Sequence, residues 1–90
     1  MKPTLELIAF GTVQGVGFRW ATKQIADQLG LNGSVTNLAD GSVKILAQGD
    51  HHKLDQLVQQ IKTAPTSAAE VTDVSLRFIK HDEFKGFSVN

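Results

Sequence analysis

Two stretches of this chain repeat their apolar residues at helical spacing, and the stretches around them are extended. In the first helical stretch, Phe18, Thr22, Ile25 and Leu29 share one face, with Ala21 and Ala26 beside it. In the second, Leu54, Leu57, Val58 and Ile61 fall at i, i+3, i+4 and i+7, against a polar face of Gln56, Gln59, Gln60 and Lys62. Before the first helix, Leu5 to Phe10 is apolar on both parities apart from Glu6, as in a strand buried on at least one face. Between the helices, Leu31-Asn32-Gly33 reads as a turn and Ser34 to Asn37 as a short extended segment. Asp40-Gly41 then supplies a hairpin signal, and Ser42 to Gln48 alternates with Val43, Ile45 and Ala47 on one side. After the second helix, Thr63 to Glu70 is a loop containing Pro65. Val71 to Lys80 alternates again, His81 to Lys85 is a polar turn, and Gly86 to Val89 is a last short strand with Phe87 and Val89 inward.

The order is therefore β-α-β-β-α-β with a small terminal strand. Each β-α-β crossover is right-handed by rule, and both helices must cover one face of an antiparallel sheet. The expectation is an α+β, ferredoxin-like βαββαβ sandwich. Ninety residues suffice for one two-layer core, so residues 1–90 are expected to form a single domain. Gly30 stops the first helix and Asp50 caps the second. Phe10, Phe78 and Phe87 are expected in the core. Because this fold carries many functions, the function must be argued from residues.

Composition removes several classes. Nine basic and nine acidic residues give no net charge, against the basic excess of a nucleic-acid binder. The third strand carries no aromatic residue, although an RNA-reading sheet of this topology stacks bases there. The absence of cysteine excludes disulfides, thiolate nucleophiles and cysteine metal sites. Met1-Lys2-Pro3-Thr4-Leu5-Glu6 lacks the pattern of a signal peptide, and no run reaches the ~20 apolar residues of a membrane helix. The expected compartment is the cytoplasm. His51, His52 and His81 are dispersed and read as solvated rather than as metal ligands, and no serine or threonine has a base and an orienting partner nearby in sequence.

The segment Gly11-Thr12-Val13-Gln14-Gly15-Val16-Gly17-Phe18-Arg19 lies between the first strand and the first helix. Glycines directly before a helix let several N–H groups converge where the helix dipole favours an anion. Arg19 adds a planar, permanently charged fork in the first turn. Two nucleotide patterns fail here. Trp20 stands where a dinucleotide fingerprint needs its third small residue, and Gly17 is followed by Phe18-Arg19 instead of Lys-Ser/Thr. The segment then reads either as a phosphate cradle or as a tight turn with an exposed arginine. Asn37, at the end of the second strand, reads either as an ordinary strand-end residue or as an amide orienting a water beside the cradle. The second reading expects strands one and two to lie close at the centre of the sheet.

At this point the sequence resembles a known family. Gly11 to Arg19 is similar to the acylphosphatase signature Gly-x-Val-Gln-Gly-Val-Gly-Phe-Arg. Leu29-Gly30-Leu31-x-Gly33-x-Val35-x-Asn37 with Asp40-Gly41-Ser42-Val43 resembles the family's second block, and Gln48-Gly49 and Phe84-Lys85-Gly86-Phe87 also fit it. The resemblance implies hydrolysis of a carboxyl–phosphate anhydride to a carboxylate and inorganic phosphate by direct in-line attack of water. It implies Arg19 as the phosphate-binding arginine and Asn37 as the water-positioning residue. The cradle would be the backbone N–H groups of Gln14, Gly15, Val16, Gly17 and Phe18. No metal, no cofactor and no covalent intermediate are implied. The expected partners are a small acyl phosphate and the phosphate product, with no nucleic acid or membrane, and the expected state is a monomer. An alternative is a non-catalytic or carbamoyl-phosphate-handling module of the same family. Two positions depart from the family pattern: Ser34 replaces a frequent aromatic residue, implying a thinner local core, and Thr36 replaces a frequent Arg or Lys, implying weaker steering of anions.

Overall fold

Leu5, Leu7 and Ala9 put alternate side chains of the first strand into one core with the apolar faces of both helices. The computed structural model describes residues 1–90. In chain order the elements are β1 (Lys2–Thr12), α1 (Phe18–Leu29), β2 (Asn32–Asn37), β3 (Val43–Gln48), α2 (His51–Lys62), β4 (Glu70–His81) and β5 (Phe87–Val89). They form one five-stranded sheet in the order β4-β1-β3-β2-β5. The β1, β2, β3 and β4 pairings are antiparallel, as the ferredoxin-like order requires. The small terminal strand differs. β5 lies parallel to β2, with Gly33 opposite Phe87 and Val35 opposite Val89, so the sheet is mixed at that edge. The reason is topological. β4 ends on the β1 edge, and the chain crosses to the far edge before pairing.

That crossing is tied down by a buried glutamine. Gln48 Nε2 donates to Asp82 O and to Thr4 Oγ1, both at 2.9 Å, and Gln48 Oε1 accepts from Phe84 N–H at 2.9 Å. A buried amide with these partners leaves neither its donor nor its acceptor unpaired. Glu6, the exception in the apolar run, faces away from the helices. It sits opposite Arg77 on β4 and accepts from Arg77 Nε at 2.7 Å.

Helix α1 ends at Gly30, and Asp50 Oδ1 accepts from His52 N–H at 2.8 Å to cap α2. Three local expectations are corrected. Asn32 and Gly33 belong to β2, because they pair with Gln48 and Ala47 of β3. Phe78 is 54% exposed and Leu76 45% exposed, because β4 is an edge strand and an open groove runs between it and α2; Phe10 is only half-buried, whereas Phe87 is in the core. Ser34 lies on the opposite face of β2 from the core residue Val35, so the serine does not thin the core under the helices.

Candidate active site

The loop between β1 and α1 hangs between two buried anchors. Val13 and Phe18 are each 1% exposed, and both belong to the central apolar cluster. Burying side chains of this size stabilises by roughly 1.5–3 kcal/mol each. Of the four residues between them, Val16 packs against the core, and Gly15 and Gly17 are left exposed. Gly15 and Gly17 have φ of 75° and 76°, a left-handed conformation that side chains disfavour.

Gly17 is the N-cap of α1, so the helix begins without a side-chain cap and without an acidic residue in its first turn. Its first intrahelical bond outside the regular ladder is Ala21 N–H to Gly17 O at 3.1 Å. None of the N–H groups of Gln14, Gly15, Val16, Gly17 and Phe18 donates to a protein acceptor. These donors, with the dipole of α1 behind them, make a local positive potential without a charged side chain.

Arg19 adds the charge. It is half-buried at the first turn of α1, and its Nη1 donates to the main-chain oxygen of Asn90 at 2.5 Å. Asn90 is itself fixed to β2: its N–H donates to Val35 O at 2.9 Å and its Nδ2 donates to Thr36 Oγ1 at 3.2 Å. Thr36, where a cation was implied to be missing, therefore anchors the residue that orients Arg19.

Asn37 closes β2 and faces the same place. A cleft of about 220 Å³ is lined by Val13, Gly15, Gly17, Phe18, Arg19, Trp20 and Asn37. β1 and β2 are not neighbours, since β3 lies between them. The approach of Asn37 to the loop comes instead from the β2–β3 hairpin beyond the end of the sheet. There Gln14 Nε2 donates to Leu38 O at 2.8 Å and to Ser42 O at 2.9 Å. Asn37 Oδ1 is buried and has no hydrogen-bond partner within the protein, a status that no other buried side-chain polar atom of the chain shares. Such an acceptor is costly unless a ligand or solvent molecule completes it.

Two residues outside the sequence expectation also reach the site. Thr66, from the loop between α2 and β4, donates its hydroxyl to Val16 O at 3.0 Å. Trp20, 65% exposed, stands at the mouth of the cleft. The side-chain role of Gln14 was likewise invisible along the chain, because its acceptors are backbone carbonyls 24 and 28 residues away. A larger groove of about 490 Å³ runs between α2 and β4; its walls are mainly apolar, with Leu54, Val58, Leu76 and Phe78 beside Gln59, Lys62 and Arg77, and Arg77 is already paired with Glu6.

A loop of free N–H groups, an arginine and an unpaired asparagine oxygen around one cleft suit a phosphoryl compound. The sequence profile of the acylphosphatase family matches residues 5–89. The chain belongs to the acylphosphatase family. An acylphosphatase from Lactobacillus johnsonii is 48% identical to it over 87 residues, 96% of each chain. The crystal structure of acylphosphatase from Bacillus subtilis shares the fold with a TM-score of 0.92 at 35% identity, covering 98% of both chains. A full-length HypF in its phosphate- and nucleotide-bound form aligns with a TM-score of 0.91 and 28% identity, over 98% of this chain and 12% of that one. As a member of the family, the protein is a hydrolase of small acyl phosphates. No helix is long and apolar enough to cross a membrane.

Proposed function

We propose that Arg19, Asn37 and the N–H groups of Gln14 to Phe18 are the machinery with which this acylphosphatase cleaves its substrate. The N–H groups and the Arg19 guanidinium bind the phosphoryl oxygens and stabilise the charge on them in the transition state. Asn37 Oδ1 accepts a hydrogen bond from the attacking water and holds it in line with the bond to be broken. As the water oxygen bonds to phosphorus, the bond from phosphorus to the acyl oxygen breaks, and the carboxylate departs with the electron pair. Carboxylate is a weak base, so no general acid is needed. The proton of the water passes to a phosphoryl oxygen and leaves with inorganic phosphate. Asn37 cannot take that proton, and its contribution is orientation.

The observation that carries this reading is the buried, unpartnered Asn37 Oδ1 on the wall of the cleft that also contains Arg19 and the glycine loop. Every group invoked comes from one chain, which supports a monomer as the active unit and residues 1–90 as a single functional domain. A cytoplasmic location belongs to the same proposal, since ionised acyl phosphates do not pass a membrane unaided. The even charge balance supports a small-molecule partner over nucleic acid.

The test is phosphate release measured on benzoyl phosphate, carbamoyl phosphate and a phosphate monoester in parallel. The expected result is turnover of benzoyl phosphate, with the monoester left intact and with chelator having no effect. Turnover of carbamoyl phosphate with benzoyl phosphate untouched would instead assign the carbamoyl-phosphate-handling role.

A further inference from the structure

We propose that the side chain of Gln14 is a positioning residue that sets the distance between the phosphate cradle and Asn37. The inference rests on the roles proposed above for those two parts, and its basis is a pair of hydrogen bonds. Gln14 belongs to the cradle through its backbone, yet its side chain turns away toward the β2–β3 hairpin. There its single amide nitrogen donates to Leu38 O at 2.8 Å and to Ser42 O at 2.9 Å, using both of its protons. The two residues that supply these acceptors are already joined, since Leu38 N–H donates to Ser42 O at 2.9 Å. Gln14 thus grips the base of the hairpin turn at the residue next to Asn37.

The topology gives this grip its importance. β3 separates β2 from β1, so no ladder hydrogen bond connects the end of β2 to the end of β1. The cradle follows β1, and Asn37 ends β2. Among side-chain hydrogen bonds, those of Gln14 are the ones that join the cradle to the β2–β3 hairpin. An in-line displacement needs the water within a few tenths of an ångström of its place relative to the phosphoryl group, and a misplacement of about 1 Å can cost ~10²-fold in rate. The Gln14 amide does not face the phosphoryl group; it acts through the hairpin.

The experiment compares Gln14→Met, Asn37→Ala and the double variant in steady-state hydrolysis of benzoyl phosphate, with inorganic phosphate as competitive inhibitor. Methionine keeps the length of the side chain and loses both donated bonds. The expected result for Gln14→Met is a kcat lowered by ~10–100-fold, with KM and the inhibition constant of phosphate changed by less than about twofold. In the Asn37→Ala background the same substitution is expected to change kcat by less than about twofold, because the residue it positions is gone. Faster amide exchange at Leu38 and Gly41 is expected in Gln14→Met, with the helices unaffected. A full additional loss of kcat in the Asn37→Ala background, or weakening of phosphate binding in proportion to kcat, would overturn the inference. Wild-type turnover by Asn37→Ala alone would overturn the role of Asn37 instead. If Gln14→Met does not fold, Gln14→Asn serves, since it keeps the amide but falls one methylene short of the carbonyls, and the same outcomes apply.

Discussion

The guanidinium of Arg19 is held by the main-chain oxygen of Asn90, 2.5 Å from Nη1 and 71 residues away in sequence. The contact uses one nitrogen of the fork and leaves the others for a phosphoryl group. Arg19→Ala is expected to lower kcat/KM on benzoyl phosphate by ~10³-fold or more, the range seen when an arginine is removed from a transferring phosphoryl group. Arg19→Lys is not expected to rescue, because one ammonium cannot satisfy Asn90 and brace the phosphoryl oxygens in the same fixed plane. Steady-state kinetics on both variants provide the check, and near-normal rates in the lysine variant would contradict the fork argument.

Asn37→Ala separates catalysis from stability. The Asn37 carboxamide oxygen has no partner in the protein, so its removal breaks no hydrogen bond of the fold at that atom. The expected outcome is a kcat lowered by ~10²–10³-fold, as for one preorganised polar group. The urea midpoint is expected to stay within the equivalent of about 0.5 kcal/mol. Kinetics and denaturation on one preparation test both halves.

Thr66→Val tests the outer support of the cradle. The substitution keeps the shape of the side chain and loses the bond to Val16 O. Val16 O belongs to the peptide whose N–H is that of Gly17, so its orientation sets where that donor points. One hydrogen bond is worth about 1 kcal/mol net, which corresponds to roughly a fivefold weaker inhibition constant for phosphate. The turnover number is expected to change by less than about twofold. A large loss of kcat with normal phosphate binding would place Thr66 in the chemical step.

The hairpin that carries Asn37 has an acid limit. Ser42 donates to Asp40 Oδ1 from Oγ at 2.5 Å and from its N–H at 3.0 Å, and these bonds hold the Asp40 carboxyl below its usual 3.8. The folded value lies below the unfolded one. The stabilisation from this carboxylate is therefore complete above the unfolded value and lost as pH falls through the folded one. The difference in urea midpoint between the wild type and Asp40→Ala is expected to be constant from about pH 7 to about pH 5 and to shrink below about pH 4. A difference that grew on acidification would reverse the sign of the argument.

Much of this was legible along the chain because it depends on neighbours. The helical period of Phe18 to Leu29 corresponds to α1 as observed, since amphipathic spacing and the stop at Gly30 are local. Asp50 caps α2 for the same reason. The exposure of Leu76 and Phe78 was not legible: alternation says which side chains share a face, but not how closely a helix packs on that face. Nor was the parallel pairing of β5, because three residues contain no sign of which edge they will meet.

The sequence by itself determined the order of elements, the glycine loop at the head of α1 and the presence of Arg19 and Asn37, all of which follow from residue type and short-range spacing. Only the tertiary structure decided that these parts form one site. β3 lies between the strands that bear them, and the approach is completed by Gln14 reaching Leu38 and Ser42, by Asn90 bracing Arg19 and by Thr66 holding Val16. The physical reason is that each of these contacts ends on a backbone oxygen. Every residue of the chain carries one, so no side-chain pattern reveals which carbonyl will be used until the fold brings it within reach.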